Sequence, residues 1–124
     1  MKEISTDRAP AAIGPYSQAV ETGNMIFTSG VIPVDPKTGE ISGNDAAEQA
    51  EQAFNNLKAL LEESGSGMDR VVKTTVFIKN MDDFSRINEV YARHFFKPYP
   101  SRSCVEVARL PKDVLIEVEA VAEK

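Results

Sequence analysis

The run Arg102-Ser103-Cys104-Val105-Glu106-Val107-Ala108-Arg109-Leu110-Pro111 carries the most legible chemistry of this 124-residue chain. It is rich in strand-forming residues, and side chains alternate faces along a strand, so Arg102 and Cys104 point the same way. A guanidinium on a rigid strand can grip a carboxylate through two parallel hydrogen bonds, a geometry closed to lysine. The ordinary alternative is an arginine paired with a surface carboxylate. Cys104 is the only cysteine and His94 the only histidine. A catalytic thiolate needs a base beside it, and His94 falls on the apolar stripe of a helix, so Cys104 reads as a pocket wall and not a nucleophile.

Four further positions invite a functional reading. Glu117 alternates with Ile116 and Val118 and so projects from the opposite sheet face to those core residues, where a lone glutamate is usually just solvated. Asn88 is a polar residue on an apolar helical stripe, and a buried amide serving backbone groups explains it about as well as a binding role. Tyr16 follows Gly14-Pro15 in a loop and could be a simple surface lid. Ser29 and Gly30 end a strand, where glycine lets the backbone approach a ligand closely.

The elements that must position these residues follow from periodicity. A short edge strand is expected near Lys2 to Ser5, and strands over Gln18 to Thr22 and Met25 to Ser29 are joined through Gly23-Asn24. From Asp45 to Glu63 the apolar residues Ala46, Ala50, Ala53, Phe54, Leu57, Leu60 and Leu61 recur at helical spacing, with Asn44 or Asp45 as cap and Gly65 and Gly67 as terminators. Arg70 to Lys79 is expected as a strand with Val72, Thr74, Val76 and Ile78 on one face and Val71, Thr75 and Phe77 on the other. A second helix, capped by Asn80 or Asp82, carries Phe84, Ile87, Asn88, Tyr91, His94 and Phe95 and ends at Pro98-Tyr99-Pro100. Strands near Ser101 to Ala108 and Val114 to Ala122 close the chain.

Composition narrows the function classes. At 42% apolar and 27% charged residues the chain reads as one ordinary globular domain spanning residues 1–124. No apolar run approaches the roughly 20 residues of a membrane span, and the start lacks the hydrophobic core of a signal peptide, so a cytoplasmic protein with no membrane partner is expected. One histidine and one cysteine cannot assemble the usual zinc or transition-metal ligand sets, and no metal is expected. The net charge of −5 and the scattering of Lys and Arg along the chain argue against a nucleic-acid partner. Two helices cover only one face of such a sheet, so the second apolar face calls for a partner, most economically further copies of the chain.

Taken with Ala11-Ala12-Ile13-Gly14-Pro15-Tyr16-Ser17-Gln18, Thr28-Ser29-Gly30-Val31-Ile32-Pro33, Lys73-Thr74-Thr75-Val76-Phe77 and Leu110-Pro111-Lys112-Asp113-Val114-Leu115-Ile116-Glu117, the arginine motif resembles the RidA, or YjgF-like, family of enamine/imine deaminases nearly end to end. The resemblance implies an α+β fold: a single mixed β-sheet with two helices on one face, chorismate-mutase-like, assembled as a barrel-like homotrimer with clefts between subunits. It implies cofactor-free, metal-free hydrolysis of short 2-imino acids, such as 2-iminopropanoate and 2-iminobutanoate, to 2-keto acids and ammonia. Arg102 would bind the substrate carboxylate and Glu117 would orient and activate water. Tyr16, Ser29, Gly30, Asn88 and Cys104 would line the substrate, with Tyr16 closing over it from a neighbouring subunit. Many members carry glutamine where this chain has Val31, which bears on side-chain preference more than on the reaction. Two rivals are an endoribonuclease or translation initiation inhibitor, which the acidity disfavours, and a non-catalytic module binding a small acid or a partner enzyme.

Overall fold

Gly23 in the left-handed region (φ 57°) closes the expected hairpin, with Thr22 directly opposite Met25. The structure, a computed structural model, describes residues 1–124. Its elements are β1 (Lys2–Ile4), β2 (Ala19–Thr22), β3 (Met25–Thr28), α1 (Ala46–Glu63), β4 (Val71–Ile78), α2 (Phe84–His94), β5 (Ser101–Glu106) and β6 (Ile116–Glu123). One sheet runs in the order β1-β2-β3-β6-β4-β5. Only β4 and β5 are parallel, and α2 supplies the crossover that a parallel pair requires.

Asp45 is the residue that caps α1, its Oδ1 accepting the Glu48 amide at 2.9 Å, while the Glu48 carboxylate reaches back to the Asn44 amide at 2.8 Å. The helix stops at Gly65 (φ 80°), where the Ser66 amide bonds the Leu61 carbonyl and the Gly65 amide that of Glu62. Its stripe, from Ala50 through Ala53, Phe54, Leu57 and Leu60 to Leu61, is fully buried. Phe54 meets Tyr91 and Phe95 edge-on at centroid distances of 5.6 and 6.0 Å, which locks α1 to α2 over the sheet. His94 is committed to the same seam, its Nε2 lying 3.0 Å from Glu51 on α1.

The buried sheet face is built of cross-strand rows. Ala120, Thr74 and Arg102 form one, and Val31, Val118, Val76 and Cys104 the next. On the other face Glu117, Phe77 and Val105 form one row and Glu119, Thr75 and Ser103 another. Here one expectation is corrected. A register shift between Val71 and Lys73 adds a residue to β4, so Val71 joins the core with Thr74, Val76 and Ile78 while Val72 turns outward. The last two strands are also shorter than expected, because Val107 to Leu115 forms a connecting loop with Val114 buried outside the strand. Phe27, Val72 and Val105 remain exposed on the face without helices.

Candidate active site

Arg102 stands on the edge strand β5 and lies against one stripe of α2. Its Nη1 donates to Asn88 Oδ1 at 2.6 Å, and its guanidinium carbon lies over the rings of Tyr91 and Phe84, 4.6 and 5.5 Å from their centroids. Phe84, Asn88 and Tyr91 are four and three residues apart, so they share a helix face. The Tyr91 hydroxyl in turn lies 2.8 Å from that of Thr74, which is fully buried. Of the six arginines, Arg8, Arg86, Arg93 and Arg109 pair with carboxylates, and Arg70 donates to the Lys124 carbonyl. Arg102 alone is held entirely by neutral side chains.

Cys104 faces the same way as Arg102 and packs on the core. Burial pushes its thiol up, and the Arg102 charge opposes this only in part, the opposite of an activated nucleophile. Asn88 departs from the buried-amide alternative: it is exposed and spends its carbonyl on Arg102. The helical stripe shifts by two positions there, and Val90 supplies the buried contact instead.

A second cluster gathers at a cleft of about 340 Å³ whose walls include Tyr16, Ser29, Gly30, Val31, Lys112 and Glu117. Burial raises the Glu117 carboxyl above the ordinary glutamate value, and neighbouring Glu119 adds to the effect. Gly30 is what admits that carboxylate: a Cβ at residue 30 would lie 2.7 Å from Glu117 Cδ. Ser29 lines the cleft, but its hydroxyl donates to the Ser17 carbonyl at 2.6 Å and so anchors the loop that carries Tyr16. Gln18 fastens the same loop, its amide nitrogen donating to the carbonyls of Thr6, Ala9 and Pro10. Behind the cleft wall formed by Ile32 and Val34, buried Asn56 on α1 donates to their carbonyls at 3.0 and 2.8 Å. Val31 is buried and bridges to Val118 in both directions. Lys112 and Asp113 both adopt φ 56°, a strained pair at the cleft rim.

The structure therefore brings Tyr16, Ser29, Gly30 and Glu117 together, and Arg102, Asn88 and Cys104 together, but does not join the two groups within one copy. Arg102 is on the helix side of the sheet and Glu117 on the open side. Sequence reasoning leaves Phe84 and Tyr91 as core residues only; their spacing around Asn88 is the signal that ties them to Arg102. Lys112 and Gln18 carry no such signal, because their importance lies in loop contacts.

A single mixed sheet with two helices on one face defines an α+β fold, and comparison with known proteins makes it specific. The family described as "Endoribonuclease L-PSP" matches residues 6–124. The chain is 56% identical to the 2-iminobutanoate/2-iminopropanoate deaminase of Escherichia coli K12, over 98% of this chain and 96% of that one. It is 54% identical to a RutC family protein of Pyrococcus horikoshii, over 100% and 99%. Among solved structures, RidA from an Antarctic Psychrobacter superposes with a TM-score of 0.96 at 42% identity, covering all of both chains. E. coli TdcF with bound serine superposes at 0.94 with 51% identity, covering 100% and 99%. The chain belongs to this L-PSP family, the RidA/YjgF family.

Proposed function

We propose that this chain, acting as one RidA-like domain, hydrolyses short 2-imino acids such as 2-iminopropanoate and 2-iminobutanoate to 2-keto acids and ammonia. The observation that carries the reading is the Arg102 guanidinium, left without a carboxylate of its own in a chain that has 19 Asp and Glu residues. A cation held by neutral groups keeps its bidentate edge for an incoming carboxylate. The likeness to deaminases at 53–56% identity supplies the substrate class.

Because Arg102 and Glu117 face opposite sides of one sheet, a complete site needs two copies. One copy contributes Arg102, Asn88 and Cys104; its neighbour contributes Tyr16, Ser29, Gly30 and Glu117. A homotrimer repeats this pairing three times and covers the apolar open face that bears Phe27 and Val105. A cytosolic setting fits the free thiol of Cys104.

Arg102 fixes the imino acid by its carboxylate, so that the C=N carbon meets water beside Glu117. A carboxyl whose pKa burial raises above the ordinary glutamate value is a stronger base toward the attacking water than an ordinary glutamate. Glu117 takes a proton from the attacking water as the C–O bond forms and returns it to nitrogen. The remaining hydroxyl proton of the resulting adduct then passes by way of Glu117 to the nitrogen as the C–N bond breaks, so that ammonia leaves as the carbonyl closes. No oxidation occurs, and the imine is already labile in water, so positioning and one acid–base group suffice.

The test couples a threonine dehydratase to this protein and follows 2-ketobutyrate under conditions that slow spontaneous hydrolysis. Acceleration should scale with added protein and fall at least about 100-fold in Arg102→Ala. Undiminished turnover in that variant overturns the carboxylate clamp. A non-catalytic acid-binding module would instead bind 2-ketobutyrate without accelerating its formation.

A further inference from the structure

We infer that Tyr91, with Phe84 beside it, is a positioning residue for substrate binding: the two rings hold the Arg102 guanidinium in the plane from which it receives a carboxylate. This inference rests on the proposed carboxylate role of Arg102 and extends it to residues that never touch substrate.

The geometry is a chain of fixed points. Thr74 is fully buried on the central strand β4, and its hydroxyl meets that of Tyr91 at 2.8 Å. That bond ties down the ring edge farthest from the α2 backbone. Phe95 stacks on the Tyr91 ring at 4.3 Å and 29°, and Phe54 closes it edge-on. Tyr91 therefore has no freedom to turn, and its ring lies beneath the Arg102 guanidinium carbon at 4.6 Å. Phe84 gives a second ring face at 5.5 Å. Asn88 Oδ1, between them on the helix, accepts from Nη1 at 2.6 Å.

Each support restrains a different motion. The ring faces hold the guanidinium plane, and the amide sets its rotation within that plane. A long arginine side chain at a half-exposed edge would otherwise sample many rotamers and lose entropy on gripping its ligand. Rings also hold the cation without neutralising it, whereas a carboxylate in the same place would compete with substrate. Aromatic residues at 84 and 91 thus serve binding although both lie in the packing of the helix.

Substrate affinity is the readout that a purely structural role leaves alone. A variant that merely folds less well lowers the number of active sites and hence apparent kcat, while KM and the Kd for 2-ketobutyrate stay put. Tyr91→Leu should raise both by about 3- to 10-fold with kcat much less affected. Tyr91→Phe, which restores the ring, should bring both back to within about twofold of wild type. Where Tyr91→Leu yields no folded protein, Phe84→Leu carries the test, with a smaller rise in the same two constants. If the folded leucine variant leaves KM and Kd unchanged while Arg102→Ala abolishes 2-ketobutyrate binding, the inference is overturned and the clamp stands. If Arg102→Ala itself retains binding, the clamp falls and the role of Tyr91 falls with it.

Discussion

Arg102 and Glu117 stand on opposite faces of one sheet, two strands apart, with Arg102 facing the helices and Glu117 the open side. If both serve one substrate, they must come from different copies. Mixing and reassembling two inactive variants, Arg102→Ala and Glu117→Gln, should then restore about a quarter of wild-type turnover, the share of interfaces that pair two intact halves at random. No recovery from a properly mixed oligomer would place the site within one copy and contradict the arrangement proposed above.

Gly30 and Glu117 are in contact because residue 30 has no side chain. Gly30→Ala should fold, since the backbone there needs no left-handed conformation, yet it must displace the carboxylate. Misplacing a reacting group by an ångström costs about 100-fold, so kcat should drop by roughly 10- to 100-fold. Thermal melting beside steady-state kinetics checks this: a large loss of stability with normal turnover per folded site would contradict it.

The raised Glu117 carboxyl has a signed consequence for stability. Its folded pKa lies above the unfolded value through burial and then the Glu119 charge, so the folded state binds the proton more tightly. The favourable contribution is present below the unfolded value and is lost as pH rises through the folded one. At pH 7 the ionised group works against folding, and Glu117→Gln should melt higher than wild type. That gain should vanish below the ordinary value of 4.5. In turnover, the acid limb of wild-type kcat/KM should lie above 4.5.

Asn56 tests the wall of the cleft. It is buried and satisfies two carbonyls of the Ile32–Val34 loop. Asn56→Leu keeps the volume but orphans the Val34 carbonyl, while that of Ile32 keeps the Val34 amide at 2.8 Å, at a cost of about 1–3 kcal/mol in unfolding free energy. Urea denaturation reads this directly, and a change below that range would mean that water or a rearranged loop serves the Val34 carbonyl.

Much of this was legible in the residues. The three-and-four spacing from Ala46 to Leu61, the Gly23 turn and the alternation through Glu117 are local patterns, and local patterns dictate helix, hairpin and facing. Arg102 stood out as a guanidinium on a strand, but its carboxylate role came from the family resemblance, because the residues alone favoured a surface ion pair. The extra residue at Val71–Lys73 was not legible, because a bulge relieves a mismatch with the partner strand β6 and leaves no mark on β4 alone. Nor was the outward turn of Asn88, which depends on how α2 is rotated against α1.

By itself, then, the sequence determined the elements, the fold class and the groups able to do chemistry, because these follow from side-chain type and spacing along one chain. Only the tertiary structure decided that Glu117 is sheltered against Gly30, that Tyr91 and Phe84 carry Arg102, and that Arg102 and Glu117 look in opposite directions. Those relations are set by strand order and by helix packing across residues far apart in sequence, and no periodicity encodes them.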